Sequence, residues 1–111
     1  MRKTDLAYAA GIVDGEGCIG LFHRANTPRS VQCQIIVSNT NEWLVQWFRF
    51  AFGGKAFPDT DNRGRWKLLW RWTIANEEAL AFLILISPYL RLKKPHAEIA
   101  IKFLRMRGYK G

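Results

Sequence analysis

Two stretches of the chain alternate between hydrophobic and polar residues, which is typical of a β-strand that buries one of its faces. In the first stretch, the residues expected to face the core are Val31, Cys33, Ile35 and Val37. In the second stretch, which begins at residue 65, the residues expected on the apolar face are Trp66, Leu68, Trp70, Trp72 and Ile74. Shorter strands are predicted at residues 18–24 and 55–57.

Helical periodicity and capping residues predict four helices, at residues 6–13, 42–52, 77–86 and from Pro95 onward. Thr4 or Asp5 is expected to cap the first helix, and Asn76 the third. Glycines at 15, 17, 53 and 54 are expected to end the first two helices. Loops are predicted at residues 26–29 and 59–64, and a turn at 39–41.

The predicted order of elements is α-β-β-α-β-β-α-α, in a single domain that spans residues 1–111. Such an order is typical of an α+β fold, with an antiparallel sheet and helices on one of its faces. A chain of this length suits one hydrophobic core, and no repeat or linker divides it.

The formal net charge of +8 favours a polyanionic partner, with nucleic acid ahead of a membrane surface. The longest apolar run, residues 79–86, is far shorter than the roughly 20 residues that a membrane-spanning helix needs. No signal-peptide pattern follows Met1, and Cys18 and Cys33 lack the spacing of a zinc site. We therefore expect a soluble intracellular protein with reduced thiols and no membrane partner.

A short motif lies at the end of the first helix, where residues 9–17 read AAGIVDGEG. It resembles the motif that names the LAGLIDADG homing endonuclease family: Gly11, Asp14 and Gly17 match, and Glu16 replaces the final aspartate. Three further segments, residues 37–41, 52–54 and 88–93, resemble family segments in the family's order. The resemblance implies the family's αββαββα fold with a saddle-like antiparallel sheet.

The resemblance also implies a homing endonuclease that makes metal-dependent double-strand breaks in DNA and so promotes the spread of its intron or intein. Phosphodiester hydrolysis requires an activated water and stabilisation of charge on the phosphate and the leaving 3′ oxygen, which Mg²⁺ or Mn²⁺ can supply. Glu16 offers the oxygen ligand that such hard cations prefer. A solvated turn carboxylate is the alternative reading of this residue.

Other site roles come from the family match alone. The backbone carbonyl of Gly15 is implied as a second metal ligand. Asn39 is implied to orient water, and a role in the turn suits it equally well. Lys93 is implied as a cation near the scissile phosphate or as a group that polarises the attacking water, with a plain surface lysine as the alternative. The matched position of Asp14 implies hydrogen bonding at the helix end rather than catalysis.

One chain offers one Glu16, whereas a double-strand break requires two strands to be cut. We therefore expect a twofold homodimer that acts on a long pseudo-palindromic stretch of double-stranded DNA. The first helix is the expected dimer interface because small residues allow close approach, and an ordinary core helix is the alternative reading. The residues assigned to the dimer interface are Ala7, Ala10, Gly11 and Asp14.

The polar face of the sheet is the expected DNA-binding surface. A β-ribbon fits the major groove, where arginine reads guanine and glutamine reads adenine. The residues assigned to DNA binding are Arg24, Arg29, Gln32, Gln34, Arg63, Arg65, Lys67 and Arg71. For any single member of this set, an ordinary solvent-exposed position is the alternative.

Two other functions stay open at this point. The protein can be an RNA maturase that assists intron splicing, or a catalytically inactive DNA-binding regulator that has kept the fold. The compartment is likewise open between a bacterial, phage or archaeal cytoplasm and an organelle.

Overall fold

The computed structural model describes the backbone of residues 1–24, 27–59 and 68–111, and the side chains of residues 1–23, 30–59 and 68–111. The helices are α1 (Lys3–Glu16), α2 (Glu42–Phe52), α3 (Asn76–Ile86) and α4 (Lys94–Met106), with a 3₁₀ turn at Ser87–Tyr89 between the last two. The strands are β1 (Gly17–Arg24), β2 (Thr27–Asn39), β3 (Lys55–Pro58) and β4 (Trp70–Ala75). Across these ranges, the predicted order of elements is confirmed.

The four strands form one antiparallel sheet in the order β1-β2-β4-β3. Directly paired residues of neighbouring strands share a face of the sheet, and Val37 pairs with both Gly17 and Trp72. Cys33, Ile35 and Val37 are fully buried, as predicted, whereas Val31 is half-buried. The helices cover this buried face and leave the other face of the sheet open, which confirms the α+β fold class.

Aromatic side chains fill much of the core. Phe48 of α2 and Phe82 of α3 pack on Trp72, with ring centroids 4.8 Å and 5.3 Å from that of Trp72. Phe52 packs against Phe82 with ring centroids 4.7 Å apart. These contacts join α2 and α3 to the sheet and explain why Trp72 of β4 is internal rather than exposed.

The predicted helix caps are wrong at two helices. The N-cap residue of α1 is Arg2, which makes no capping bond through its side chain, so neither Thr4 nor Asp5 has that place. Asn76 is the first residue of α3 and has a φ of 52°. Its Oδ1 accepts a hydrogen bond of 3.2 Å from the backbone N–H of Cys33, so it joins α3 to β2 instead of capping the helix.

The end of α1 also lies beyond its predicted position at residue 13. Gly15 is accommodated within the helix, and the N–H of Gly17 bonds to the carbonyl of Val13 to close the last turn. A Cβ atom at Gly17 would lie 2.8 Å from Cα of Val13, so glycine allows β1 to leave the helix at once. Glu16 therefore stands at the junction of helix and strand.

The second helix ends at a glycine pair, as predicted. Gly53 and Gly54 have φ values of 82° and 83°, a region that favours glycine. A Cβ atom at Gly54 would collide with the side chain of Ile74. The carbonyl of Gly53 accepts a hydrogen bond of 2.8 Å from the indole N–H of Trp72.

Three strand predictions change at their ends. The predicted loop at 26–29 is wrong from Thr27 onward, because β2 begins there. β4 begins at Trp70, and Leu68 lies before it with 42% of its surface exposed, so its predicted core position is wrong. Asp59 bonds through its N–H to the carbonyl of Leu69 at 2.7 Å, which prolongs the β3–β4 pairing. Residues 60–64 of the predicted loop, and Trp66 of the predicted strand, lie outside the described residues.

Candidate active site and nucleic-acid interface

The end of α1 brings two predicted site residues into contact. Glu16 is the last residue of α1 and is exposed, and Asn39 is the last residue of β2. β1 starts directly after Glu16 and pairs with β2, which places the two ends side by side. The Nδ2 amide of Asn39 donates a hydrogen bond of 2.7 Å to Oε2 of Glu16.

The orientation of the Asn39 amide is set from the other side. Its Oδ1 accepts a hydrogen bond of 2.8 Å from the backbone N–H of Asn41, which leaves the NH₂ end turned towards Glu16. Asn41 caps α2 by accepting a bond of 3.0 Å from the N–H of Trp43. The turn therefore gives the capping role to Asn41 and fixes Asn39 against the carboxylate.

The same end of α1 holds the third predicted catalytic residue. Lys93 directly precedes α4, and its Nζ donates a hydrogen bond of 2.7 Å to the backbone carbonyl of Asp14. The carboxylate of Asp14 accepts from three consecutive backbone N–H groups: Arg91 at 2.8 Å, Leu92 at 3.2 Å and Lys93 at 2.9 Å. The expected hydrogen bonding by Asp14 is therefore present, but its donors come from the segment before α4. The donors lie 77 to 79 positions after Asp14, so no local pattern predicted this contact.

These bonds lower the pKa of the Asp14 carboxyl group. Desolvation by burial raises the pKa of its carboxyl group, but the N–H groups of Arg91, Lys93 and Leu92, together with the charge of Lys93, outweigh it. The pKa of Asp14 is consequently below its ordinary value of 3.8. Asp14 is therefore ionised at neutral pH.

The residues at this helix end offer oxygen atoms, which are the ligands that a hard divalent cation prefers. Glu16 is an exposed carboxylate, and Gly15 lies in the last turn of α1, where backbone carbonyls lack helical donors. No group of three or more His, Cys, Asp or Glu within the described ranges could hold a metal ion. One chain thus supplies a partial set of oxygen ligands, which other ligands would have to complete.

The exposed side of α1 carries two of the predicted interface residues. Ala7 and Gly11 are exposed, and apart from the nearby backbone of α1 itself, no described atom lies within 4 Å of the place where a Cβ of Gly11 or Gly15 would be. A groove of about 360 Å³ beside this side is lined by Ala7, Gly11, Asp14 and residues 88–91. Ala10 is a correction: it is fully buried in the core of its own chain and has no surface to offer a partner.

The open face of the sheet carries Gln32, Gln34 and Arg71, as predicted, because all three alternate with core-facing neighbours along β2 and β4. The side chains of Gln34 and Gln32 are joined by a hydrogen bond of 3.3 Å. Lys55 of β3 pairs with Thr73 and is exposed on the same face. Lys55 lies in the strand predicted at 55–57 but is not among the residues expected to bind DNA.

Arg71 is held in place by an acidic neighbour. Its Nη2 lies 3.2 Å from Oδ2 of Asp59, and the two side chains are 38% and 13% exposed. The Nε atom of Arg71 is buried and has no hydrogen-bond partner among the described residues. Arg71 therefore reaches the open face with its guanidinium already oriented, and with part of its charge balanced.

The remaining residues assigned to DNA binding cannot be placed on this surface. The side chains of Arg24 and Arg29, and the whole of Arg63, Arg65 and Lys67, lie outside the described residues. No helix in the described part of the chain is long and apolar enough to cross a membrane.

No family model matches the sequence, and no curated protein matches it. Solved structures do match. The homing endonuclease I-CvuI, in complex with its target in the presence of 2 mM Ca, superposes with a TM-score of 0.79 at 20% identity, over 93% of this chain and 67% of that one.

Two larger proteins show the same likeness. I-GzeII, a LAGLIDADG homing endonuclease in complex with a DNA target, matches with a TM-score of 0.71 and 21% identity over 91% of this chain and 35% of its own. I-SmaMI, a LAGLIDADG homing endonuclease bound to cleaved DNA, matches with a TM-score of 0.73 and 14% identity over 94% of this chain and 37% of its own. The present chain thus spans from about a third to two thirds of these proteins.

Proposed function

The chain has the LAGLIDADG homing endonuclease fold, and from this premise we propose that it is a site-specific DNA endonuclease of that family. It cuts both strands of a long DNA target with the help of a divalent metal ion. Cutting the allele that lacks its intron or intein promotes the spread of that element.

One observation carries the proposal: three chemically suitable residues from distant parts of the sequence meet at the end of α1. Asn39 contacts Glu16 directly, and Lys93 contacts the carbonyl two residues before Glu16. A carboxylate, an amide and an ammonium group are the functions that metal-assisted phosphodiester hydrolysis uses. A protein that only bound DNA would not need them together.

In the proposed reaction, the oxygen of a water molecule forms a bond to phosphorus, and the bond from phosphorus to the 3′ oxygen breaks. The water loses one proton and the departing 3′ oxygen gains one. A bound Mg²⁺ or Mn²⁺ would be held by Glu16 and the Gly15 carbonyl, and it supplies charge neutralisation and activation of water. Asn39 orients Glu16 and the water, and Lys93 contributes positive charge near the phosphate.

We further propose that the protein works as a homodimer through the exposed side of α1. Ala7 and Gly11 permit close approach of two helices, and the open space at Gly11 and Gly15 accommodates a partner. Twofold pairing there would bring two Glu16 carboxylates together and complete the ligand set that one chain lacks.

The open face of the sheet is proposed to contact the target DNA. Gln32, Gln34 and Arg71 are suited to reading base edges, and exposed Lys55 is suited to a phosphate. The solved relatives I-CvuI and I-GzeII were crystallised in complex with DNA, which supports this assignment. The formal net charge of +8 supports it as well.

The alternatives predict different surfaces. A maturase that stacks unpaired bases needs exposed aromatic rings beside basic groups. Trp72 is fully buried and supplies none, but Phe22 and Phe57 are exposed on the open face, so RNA binding is decided by the test below. A binding-only regulator needs the sheet face but not the assembly of Glu16, Asn39 and Lys93.

The test uses linear duplex DNA that carries the intron-free or intein-free insertion site, incubated with the protein in Mg²⁺ or in EDTA. The variant Glu16→Gln removes the carboxylate charge, and Glu98→Gln, at an exposed position of α4, is the matched control. We expect double-strand cleavage by the wild-type protein and by Glu98→Gln in Mg²⁺ only, and none by Glu16→Gln.

Tight binding without cleavage in any metal would refute the enzyme in favour of the regulator. Preferential binding to the structured intron RNA over the duplex would favour the maturase. A stable monomer on the DNA, seen by light scattering, would refute the symmetric dimer.

A further inference from the structure

The side chain of Asp14 hydrogen-bonds the segment before α4 to α1. The two carboxylate oxygens of Asp14 accept three consecutive backbone N–H groups, from residues 91–93, over distances of 2.8 to 3.2 Å. The next contact runs the other way, from the ammonium group of Lys93 to the backbone carbonyl of Asp14 at 2.7 Å. Two kinds of bond therefore join the same two residues.

We propose that Asp14 is a positioning residue that fixes Lys93 beside the metal-binding end of α1. This inference rests on the proposed function, and it assigns to Asp14 a role in the active site beyond packing of the dimer interface. Asp14 and Glu16 are two residues apart on one rigid helix. The carboxylate that fixes the lysine and the carboxylate that would hold the metal thus keep a constant separation.

The need for such a device follows from the chain's architecture. Lys93 lies between the 3₁₀ turn and α4, outside any regular element. A long, flexible lysine side chain would otherwise be free to turn into solvent. With its backbone N–H and its Nζ both bonded to Asp14, the lysine is held at two points. Partners that orient a catalytic group in this way are typically worth about 10–100-fold in activity.

A purely structural reading of Asp14 makes a different prediction. If the hydrogen bonds of Asp14 only stabilised the fold, their loss would lower the folded fraction. Activity would then fall by the same factor whichever residue is at position 93. A positioning role acts through Lys93, so its effect should vanish once Lys93 is replaced. The two readings are therefore separated by a double-mutant cycle.

The experiment compares wild type, Asp14→Asn, Lys93→Gln and the double variant in single-turnover cleavage of the insertion-site duplex in Mg²⁺. Enzyme is in excess, so that the rate reports chemistry rather than DNA binding. Asp5→Asn, the same substitution in the first turn of α1, is the matched control. Thermal melting confirms that each variant is folded at the assay temperature.

We expect Asp14→Asn to slow cleavage by about 10–100-fold with unchanged DNA affinity in EDTA, and Asp5→Asn to cleave as wild type does. The double variant should cleave as slowly as Lys93→Gln alone. If the fold-reductions in rate of the two single variants multiply in the double variant, the positioning role is overturned. Full activity of Asp14→Asn would overturn it as well.

A second measurement needs neither metal nor DNA. Backbone amide hydrogen exchange of residues 91–93 should be slow in the wild type and in Asp5→Asn, and fast in Asp14→Asn. Exchange that is unaltered in Asp14→Asn would overturn the inference even if cleavage were lost. If the wild type bound but did not cleave DNA, the proposed enzyme would fail, while the exchange result would still decide whether Asp14 holds this segment.

Discussion

The carboxylate of Glu16 and the side-chain amide of Asn39 are joined by a hydrogen bond of 2.7 Å, although 23 positions separate them in the sequence. The bond crosses from the end of α1 to the end of β2. Because Asn39 is itself held by the N–H of Asn41, Glu16 is oriented by a chain of two hydrogen bonds. Replacing Asn39 removes both bonds, whereas replacing the Asn41 side chain leaves both in place, because the donor at residue 41 is the backbone N–H.

Replacing Asn39 by alanine should slow single-turnover cleavage by about 10–100-fold, because Glu16 loses the partner that orients it. Replacing Asn41 by alanine should instead affect stability and not the cleavage rate. Loss of the α2 cap should lower the free energy of unfolding by about 1 kcal/mol and leave the cleavage rate of the folded protein unchanged. Urea unfolding and cleavage kinetics of both variants check this. Equal rates for the two variants would contradict the link to Glu16.

The lowered pKa of Asp14 predicts a pH dependence of stability. Because the folded pKa lies below the ordinary value of 3.8, ionised Asp14 contributes stability above that pH. The contribution is lost as the pH falls through the folded pKa. Urea unfolding between about pH 6 and about pH 2.5 should show a steeper loss of stability for the wild type than for Asp14→Asn. The Asp5→Asn variant should follow the wild type, and parallel curves for all three would disprove the linkage.

The two cysteines should differ in reactivity. Burial raises the pKa of the Cys33 thiol to about 11, so it stays protonated and inaccessible, whereas Cys18 is exposed. At about pH 8 a thiol reagent should modify one residue in the folded protein and a second only in urea. Two rapidly modified thiols in the folded protein would contradict the burial of Cys33.

Modification of Cys18 should also block DNA binding. Cys18 pairs with Ile36 on the open face of the sheet, two residues after Glu16. A bulky adduct there would stand between the protein and the target. Gel-shift titrations before and after treatment with the thiol reagent measure the effect. The Cys18→Ser variant is the control, and its DNA affinity should be the same before and after treatment.

The ion pair on the sheet predicts a change in salt dependence. Replacing Asp59 by asparagine releases the full charge of Arg71 for DNA, so the slope of log K against log salt should steepen by up to about one unit. Arg71→Ala should make the slope shallower by a similar amount, and should relax the base preference at one position per half-site. Identical slopes for both variants would show that Arg71 makes no DNA contact.

Local pattern was enough to predict most of the fold. The alternation around Cys33 and Ile35 identified the buried face of β2, and the glycine pair at 53–54 identified the end of α2. The predicted cap of α3 failed because a contact between distant residues outweighed a local preference. Asn76 looks like a helix cap, but its side chain is bonded to β2.

The site was predicted only in part, for the same reason. The motif identified Glu16, and the family match added Asn39 and Lys93, but no local pattern indicated that Asn39 would bond to Glu16. Asp14 and its donors at residues 91–93 lie 77 to 79 positions apart, so no spacing rule could reveal the contact. Ala10 was misplaced because a small residue suits a core and an interface equally well.

The bond between Asp14 and the segment before α4 has a consequence for synthesis of the protein. Glu16 leaves the ribosome early, but the residues that Asp14 binds are made 77 to 79 positions later. Contacts of such long range form slowly and late in folding. On the proposed function, a nascent chain therefore carries Glu16 without Lys93 until residues 91–93 have emerged, and the candidate site is assembled only then.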